Sequence, residues 1–114
     1  MKNKQVAPAI EAAKENWKRR IMLEKDYTET CAQWMAERIA ALTEYMQYGH
    51  ALIAYHKQTG EFQLVRATLV YYEQDFRRAY DASQIQGTVI YWNTEQQGWR
   101  SFQLENFLEW RPVV

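Results

Sequence analysis

Residues 87–110 read GTVIYWNTEQQGWRSFQLENFLEW, and this stretch decides the fold. From Thr88 to Asn93 nearly every residue is β-branched or aromatic, at the length of a strand. Alternation sets Thr88, Ile90 and Trp92 on one face and Val89, Tyr91 and Asn93 on the other. Both faces carry large apolar groups, as in a strand covered on both sides. The run Thr94-Glu95-Gln96-Gln97-Gly98 then predicts a hairpin loop, closed by Gly98 as its left-handed residue. Trp99-Arg100-Ser101-Phe102 is the return strand. Leu104-Glu105-Asn106-Phe107 is too short for a stable helix and fits a single 3₁₀ turn. Leu108 to Arg111 resumes extended structure, and Pro112 ends it by removing a ladder donor.

Strand, tight turn, strand, 3₁₀ turn and last strand is the order of the back half of a small SH3-like barrel. Three pieces carry a closer likeness: Trp92-Asn93, Trp99-Arg100-Ser101-Phe102 and Glu105-Asn106-Phe107. With them the chain resembles the bacterial WYL-related, Sm-like SH3 β-barrel family. Upstream, Thr59-Gly60-Glu61 and Arg66-Ala67-Thr68-Leu69 look like that family's first turn and second strand, with Ala67 where the pattern usually has Gly. The resemblance covers roughly the C-terminal half. It implies a fold and no catalytic residue. Because WYL-type barrels serve as ligand-sensing parts of bacterial regulators, it leans toward sensing or nucleic-acid-linked regulation, by analogy of fold.

Working back from the stretch, Ala51 to Lys57 predicts the first strand and Gln58 to Glu61 a turn. Phe62 to Tyr72, FQLVRATLVYY, reads as one long second strand. Residues 73–86 form the longest connection, with a helical turn expected around Phe76 to Ala82.

Further upstream the hydrophobic period changes to that of a helix. The first residues are polar and expected to fray, and Pro8 suits a first helical position. Ile10, Ala13, Trp17 and Ile21 then recur at spacings of three and four as far as Lys25. Asp26 is placed to cap a second helix, with Glu29 as its capping-box partner. On that helix Cys31, Trp34, Met35, Ile39, Leu42, Tyr45 and Met46 share a face, and Gly49 stops it. The pattern fits a helical hairpin or one helix bent across Asp26. A Trp and Met stripe must be buried, on the barrel or on a second copy. The expected fold class is therefore α+β. An N-terminal helical segment spans residues 1–49, with helices at about 8–25 and 27–48. A five-stranded SH3-like or Sm-like β-barrel follows over residues 50–114, with a 3₁₀ turn before the last strand.

Composition narrows the function classes. Fourteen Lys and Arg balance 14 Asp and Glu, so the formal net charge is zero. That removes the long-range attraction behind non-specific nucleic-acid binding, while leaving room for a local basic patch. The basic run Lys18-Arg19-Arg20 is interleaved with Glu15 and Glu24, as on a solvated helix face. A single Cys excludes an intrachain disulfide and a Cys-based metal cluster. Cys31 itself reads as a buried, inert thiol. His50 and His56 share a strand face about 20 Å apart, too far to ligate one metal together. No nucleophile triad, Gly-rich phosphate loop or framed pair of acids is present. The expectation is no catalytic residue, no metal and no cofactor. No apolar run nears the ~20 residues of a bilayer span, and no secretory signal core is seen, so the cytoplasm is the expected compartment.

What remains is an aromatic and arginine set. Arg66, Arg77, Arg78, Tyr80, Tyr91, Trp92, Trp99 and Arg100 are the candidate ligand-binding residues, with Tyr71 and Tyr72 beside them. Aromatic faces stack on bases or apolar groups, and guanidinium pairs with phosphate or carboxylate. The plain alternative is that the Trp residues pack the barrel or seat the helices. The leading expectation is a small non-enzymatic binding or regulatory module. The alternatives are a homo-oligomer held by the N-terminal helices and a nucleic-acid-binding accessory protein. A protein partner or self-association is expected, and no membrane.

Overall fold

The computed structural model describes residues 3–114, with side chains from Ala9 onward. The first helix, α1, spans Asn3–Lys25 and so begins ahead of Pro8. Residues 3–7 are helical rather than frayed, and residues 1 and 2 lie outside the described residues. Ala13, Trp17 and Ile21 form its buried stripe, one per turn. Asp26 does not cap the second helix. It adopts a left-handed φ of 57° and donates its N–H to the Met22 carbonyl at 2.9 Å, closing α1. Thr28 is the N-cap of α2 (Glu29–Met46), its hydroxyl accepting from the Cys31 N–H. The two helices are thus a hairpin, with residues 26–28 between them.

This capping sets the rotation of α2. Ala32, Met35, Ala36, Ile39, Leu42, Thr43 and Met46 are buried. Cys31, expected inside, lies in the first turn and is exposed. Trp34 keeps 46% of its surface exposed. Trp17 and Met35 spend their apolar surface within the chain.

Five strands follow: β1 His50–His56, β2 Phe62–Thr68, β3 Thr88–Asn93, β4 Gly98–Gln103 and β5 Phe107–Pro112. All pairings are antiparallel, in the order β4-β3-β2-β1-β5. A 3₁₀ turn, Leu104–Asn106, precedes β5. The β2–β3 pairing is short, with just Ala67 opposite Asn93 and Thr68 opposite Trp92. The sheet therefore curls around Ile53, Tyr55, Val65, Ala67, Val89, Tyr91, Phe102 and Phe107, all buried. The helical hairpin completes this core with Trp17, Ile21, Ile39, Leu42 and Met46.

Two local expectations fail, the first for a tertiary reason and the second for a local one. The second strand ends at Thr68, not Tyr72. The Thr68 hydroxyl donates to the Gly49 carbonyl at 2.8 Å, and the Leu69 N–H donates to the Met46 carbonyl at 2.8 Å. The Leu69 bond satisfies a carbonyl left open at the end of α2 and the Thr68 bond one in the turn after it, and together they turn the chain off the sheet. The left-handed hairpin residue is Gln97, with φ of 53°, not Gly98. Asn93 Oδ1 accepts from the N–H groups of Glu95 and Gln96, which winds the loop one residue tighter.

Polar clamps join the helices to the strands. Arg38 lies over the Trp110 ring at 4.8 Å and pairs with Glu109 at 2.7 Å, while Trp110 Nε1 donates to the Arg38 carbonyl. Arg20 Nε donates to Glu105 Oε1 at 2.8 Å, and Nη2 donates to Gln103 Oε1 at 3.0 Å. Its hydrogen bond to Glu105 is the main reason the guanidinium pKa is raised. Gly87 makes room for this arm, since a Cβ there would sit 2.7 Å from Arg20 Cζ. The Glu105 side chain is 7% exposed and that of Arg20 is 36% exposed. Removing the arginine leaves a buried carboxylate unpaired, whereas Glu105→Gln keeps an acceptor for it. Arg20→Ala is accordingly expected to cost about 2–3 kcal/mol in urea unfolding, after allowance for solvent at the guanidinium. Glu105→Gln is expected to cost clearly less; equal losses would mean that the buried carboxylate is not the source of the penalty.

Among the described residues no helix is long and apolar enough to cross a membrane.

Candidate functional site

The connection between β2 and β3 folds back over the outer face of β3 and β4. It carries a short helix, α3 (Tyr72–Phe76), and a 3₁₀ turn at Ala82–Gln84, in place of one helical turn around residues 76–82. Tyr71, Tyr72, Asp75 and Phe76 fall on the face of this segment that meets the strands, at spacings of three and four. Beneath them Trp92 and Trp99 are directly opposite each other across the β3–β4 ladder. Their ring centroids are 5.5 Å apart at 75°. Tyr71 packs on Trp92 at 5.5 Å, and Phe76 packs on Trp99 at 5.0 Å, both edge to face. Tyr72 joins Phe76, Trp99 and Tyr80 from behind. Edge-to-face rings add to stability beyond their buried area and hold one another in place.

Asp75 locks this cluster from one side, its Oδ2 accepting from Trp99 Nε1 at 3.0 Å. Arg78 locks it from the other, its Nε donating to the Tyr72 hydroxyl at 3.1 Å. Arg77 ends α3 in a left-handed conformation, with φ of 60°. The aromatic strip stays partly open: Tyr71 is 42% exposed and Phe76 37%. At its end is a recess of about 350 Å³, lined by His50, Tyr71, Asp75, Trp92, Thr94 and Gln97.

Of the residues singled out in the sequence, the fold brings Trp92, Trp99, Arg78 and, in the layer behind, Tyr80 into one region. Tyr91 is not a surface residue. It is 1% exposed inside the barrel, and its hydroxyl shares a 2.7 Å hydrogen bond with that of Tyr55. The alternation in β3 that turns Trp92 outward turns Tyr91 inward. Burial, reinforced by the bond to Tyr55, pushes the Tyr91 phenol far above its ordinary range. Burial likewise pushes Tyr80 far up, and its hydroxyl has no partner among the described residues.

Arg66 stands apart on the outer face of β2, beside an apolar strip that includes Leu52 and Leu64. Arg100 lies at the free edge of β4, where it lines a separate cleft of about 450 Å³ with His56, Lys57, Gln103 and Asn106. The four arginines therefore do not form one patch. His50, Asp75, Phe76, Thr94 and Gln97 are the residues of the recess and strip that the sequence reading did not enlist. The helical spacing in YYEQDF was the available signal. Among the described residues no group of three or more His, Cys, Asp or Glu is placed to hold a metal ion.

The comparisons agree with this architecture. The model of the family described as WYL_2, Sm-like SH3 beta-barrel fold, matches residues 39–108. That span runs from the middle of α2 to the start of β5 and includes the whole aromatic cluster. No curated protein and no solved structure matched the chain. With more than half of its length in that match, and with the strand order and 3₁₀ turn just described, the chain belongs to the WYL_2, Sm-like SH3 β-barrel family.

Proposed function

We propose that this protein is a small, non-enzymatic binding module of the cytoplasm that holds a peptide segment of a protein partner on its outer β3–β4 face. The observation that carries this reading is the half-open aromatic strip Tyr71–Trp92–Trp99–Phe76, fixed by Asp75 and Arg78. Rigid, partly exposed aromatic rings are what binding surfaces use as anchors, because little side-chain entropy is lost on contact. Most of the apolar stripe of the helices, Cys31 and Trp34 excepted, is buried in the chain, which favours the barrel face over the helices as the contact surface. Separation of the arginines weakens the case for a nucleic-acid track, which needs several phosphate contacts along one groove.

The test is a displayed-peptide selection against the whole chain, with selected peptides re-measured by calorimetry. Trp92→Ala is expected to weaken them at least about tenfold, as truncating an anchor does. Affinities that ignore both Trp92→Ala and Tyr71→Ala would end this assignment. A parallel salt series with single-stranded and duplex oligonucleotides separates the nucleic-acid alternative, which requires tight binding that falls steeply as salt rises.

A further inference from the structure

We infer that the recess beside Tyr71 and Trp92 receives a cationic group, the guanidinium or ammonium of an Arg or Lys side chain in the bound peptide. This inference rests on the peptide-binding reading and assigns the chemistry of one of its contacts.

Three features of the recess select for positive charge. Its two aromatic walls are Tyr71 and Trp92, set at 69° to each other with centroids 5.5 Å apart. Ring faces carry the negative end of the aromatic quadrupole, and a cation beside them is attracted without a formal counter-charge. The second feature is Asp75, the sole acidic residue lining the recess. Its Oδ2 is occupied by Trp99 Nε1, while Oδ1 makes no hydrogen bond among the described residues. An ionised carboxylate with an open oxygen, held in place by an indole, is a ready acceptor for a charged donor.

The third is the placement of the chain's own cations. No Lys or Arg lines the recess. Arg77, the nearest in sequence, caps α3 without lining the recess, and Arg78 is turned to the Tyr72 hydroxyl and ring. Phosphate or carboxylate would meet the Asp75 charge with no Lys or Arg to offset it, the imidazole of His50 being the one basic group in the lining. Thr94 and Gln97 complete the lining with neutral oxygens able to accept further N–H donors. A recess of about 350 Å³ accommodates the end of one long side chain rather than a large cofactor.

The experiment titrates the whole chain with N-acetylargininamide and, separately, with its neutral citrulline isostere, following Trp indole and Tyr71 signals by NMR. The arginine compound is expected to shift the Trp92 and Tyr71 signals, with the citrulline analogue binding at least about tenfold more weakly. Asp75→Asn preserves an acceptor for Trp99 Nε1 and removes the charge. It is expected to abolish the preference for arginine while leaving the remaining spectrum in place. Tyr71→Leu is expected to weaken arginine binding with Asp75 intact. Equal shifts from both compounds, or none at these residues from either, would overturn the inference. Peptides that still depend on Trp92 in that event would leave the peptide-binding reading standing. Loss of that dependence as well would remove both.

Discussion

Trp17→Ala is expected to lower stability by about 4–5 kcal/mol in urea unfolding, the largest loss from any single substitution considered. Trp17 has no exposed surface, and it sits where α1 crosses the turn before β3. Its Nε1 donates to the Ile85 carbonyl at 2.8 Å, a bond spanning 68 residues of sequence. Truncation therefore leaves a large cavity and strands a carbonyl that the indole had satisfied. A domain of this size has about 5–15 kcal/mol to lose, so the variant sits near the edge of folding at room temperature. Trp34→Ala is the internal comparison. That ring is half exposed on α2, and its removal is expected to change stability by less than about 1 kcal/mol. Similar losses for the two would refute the placement of α1 on the barrel.

Alkali is expected to unfold the protein through Tyr80 and Tyr91. Both phenols are held protonated by burial, Tyr91 also by its bond to Tyr55. The sign follows from which state releases the proton. Below about pH 10 both states are neutral and the full stability is present. Above it the unfolded chain ionises while the folded one does not, so stability falls as pH rises. Each phenol contributes a slope of about 1.4 kcal/mol per pH unit until its folded-state pKa is reached. Two pH units beyond the ordinary phenol range would thus remove about 5 kcal/mol. Urea midpoints across this range, with tyrosinate absorbance followed in parallel, measure the effect. Tyr80→Phe combined with Tyr91→Phe is expected to flatten the slope. Full ionisation of all eight tyrosines near the ordinary value, in a chain that stays folded, would contradict it.

What could be read in the sequence was local. The β3 boundaries, its alternation, the 3₁₀ turn at residues 104–106 and the end of α1 follow from residues within a few positions of one another. The misplaced end of β2 depends on a distant partner. Thr68 ends β2 because its hydroxyl reaches the Gly49 carbonyl, a bond to a residue that is not a neighbour in sequence. Asp26 and Gln97 took left-handed conformations expected of other residue types because the adjoining helix and loop already fixed the hydrogen bonds around them.

The candidate site shows the same division. Trp92 and Trp99 were legible as candidates from the strand pattern and the hairpin, but which face of β3 and β4 turns outward was not. Tyr91 was enlisted as a ligand-binding candidate because both faces of β3 carry large apolar groups, and alternation alone does not say which face the curled sheet encloses. Asp75 was invisible as a site residue because its role comes from the fold-back of the long loop onto Trp99. The arginines, adjacent in argument, were dispersed by topology: Arg66 on β2, Arg77 and Arg78 beyond α3, and Arg100 on the free edge of β4.

The Arg20–Glu105 clamp also bears on how the chain reaches its native state. Its two ends are 85 residues apart, and the Trp17–Ile85 bond spans nearly as far. During synthesis α1 emerges with an apolar stripe whose first counterpart is α2, while its strand-facing part stays uncovered until the segment that carries Ile85 and Glu105 has been made. The helical hairpin can pair early but completes its burial only when the barrel closes, and the closure entropy of those long loops is borne in that step. Between translation of Trp17 and of Glu105 that strand-facing apolar surface has no cover, the condition under which nascent chains are prone to aggregate.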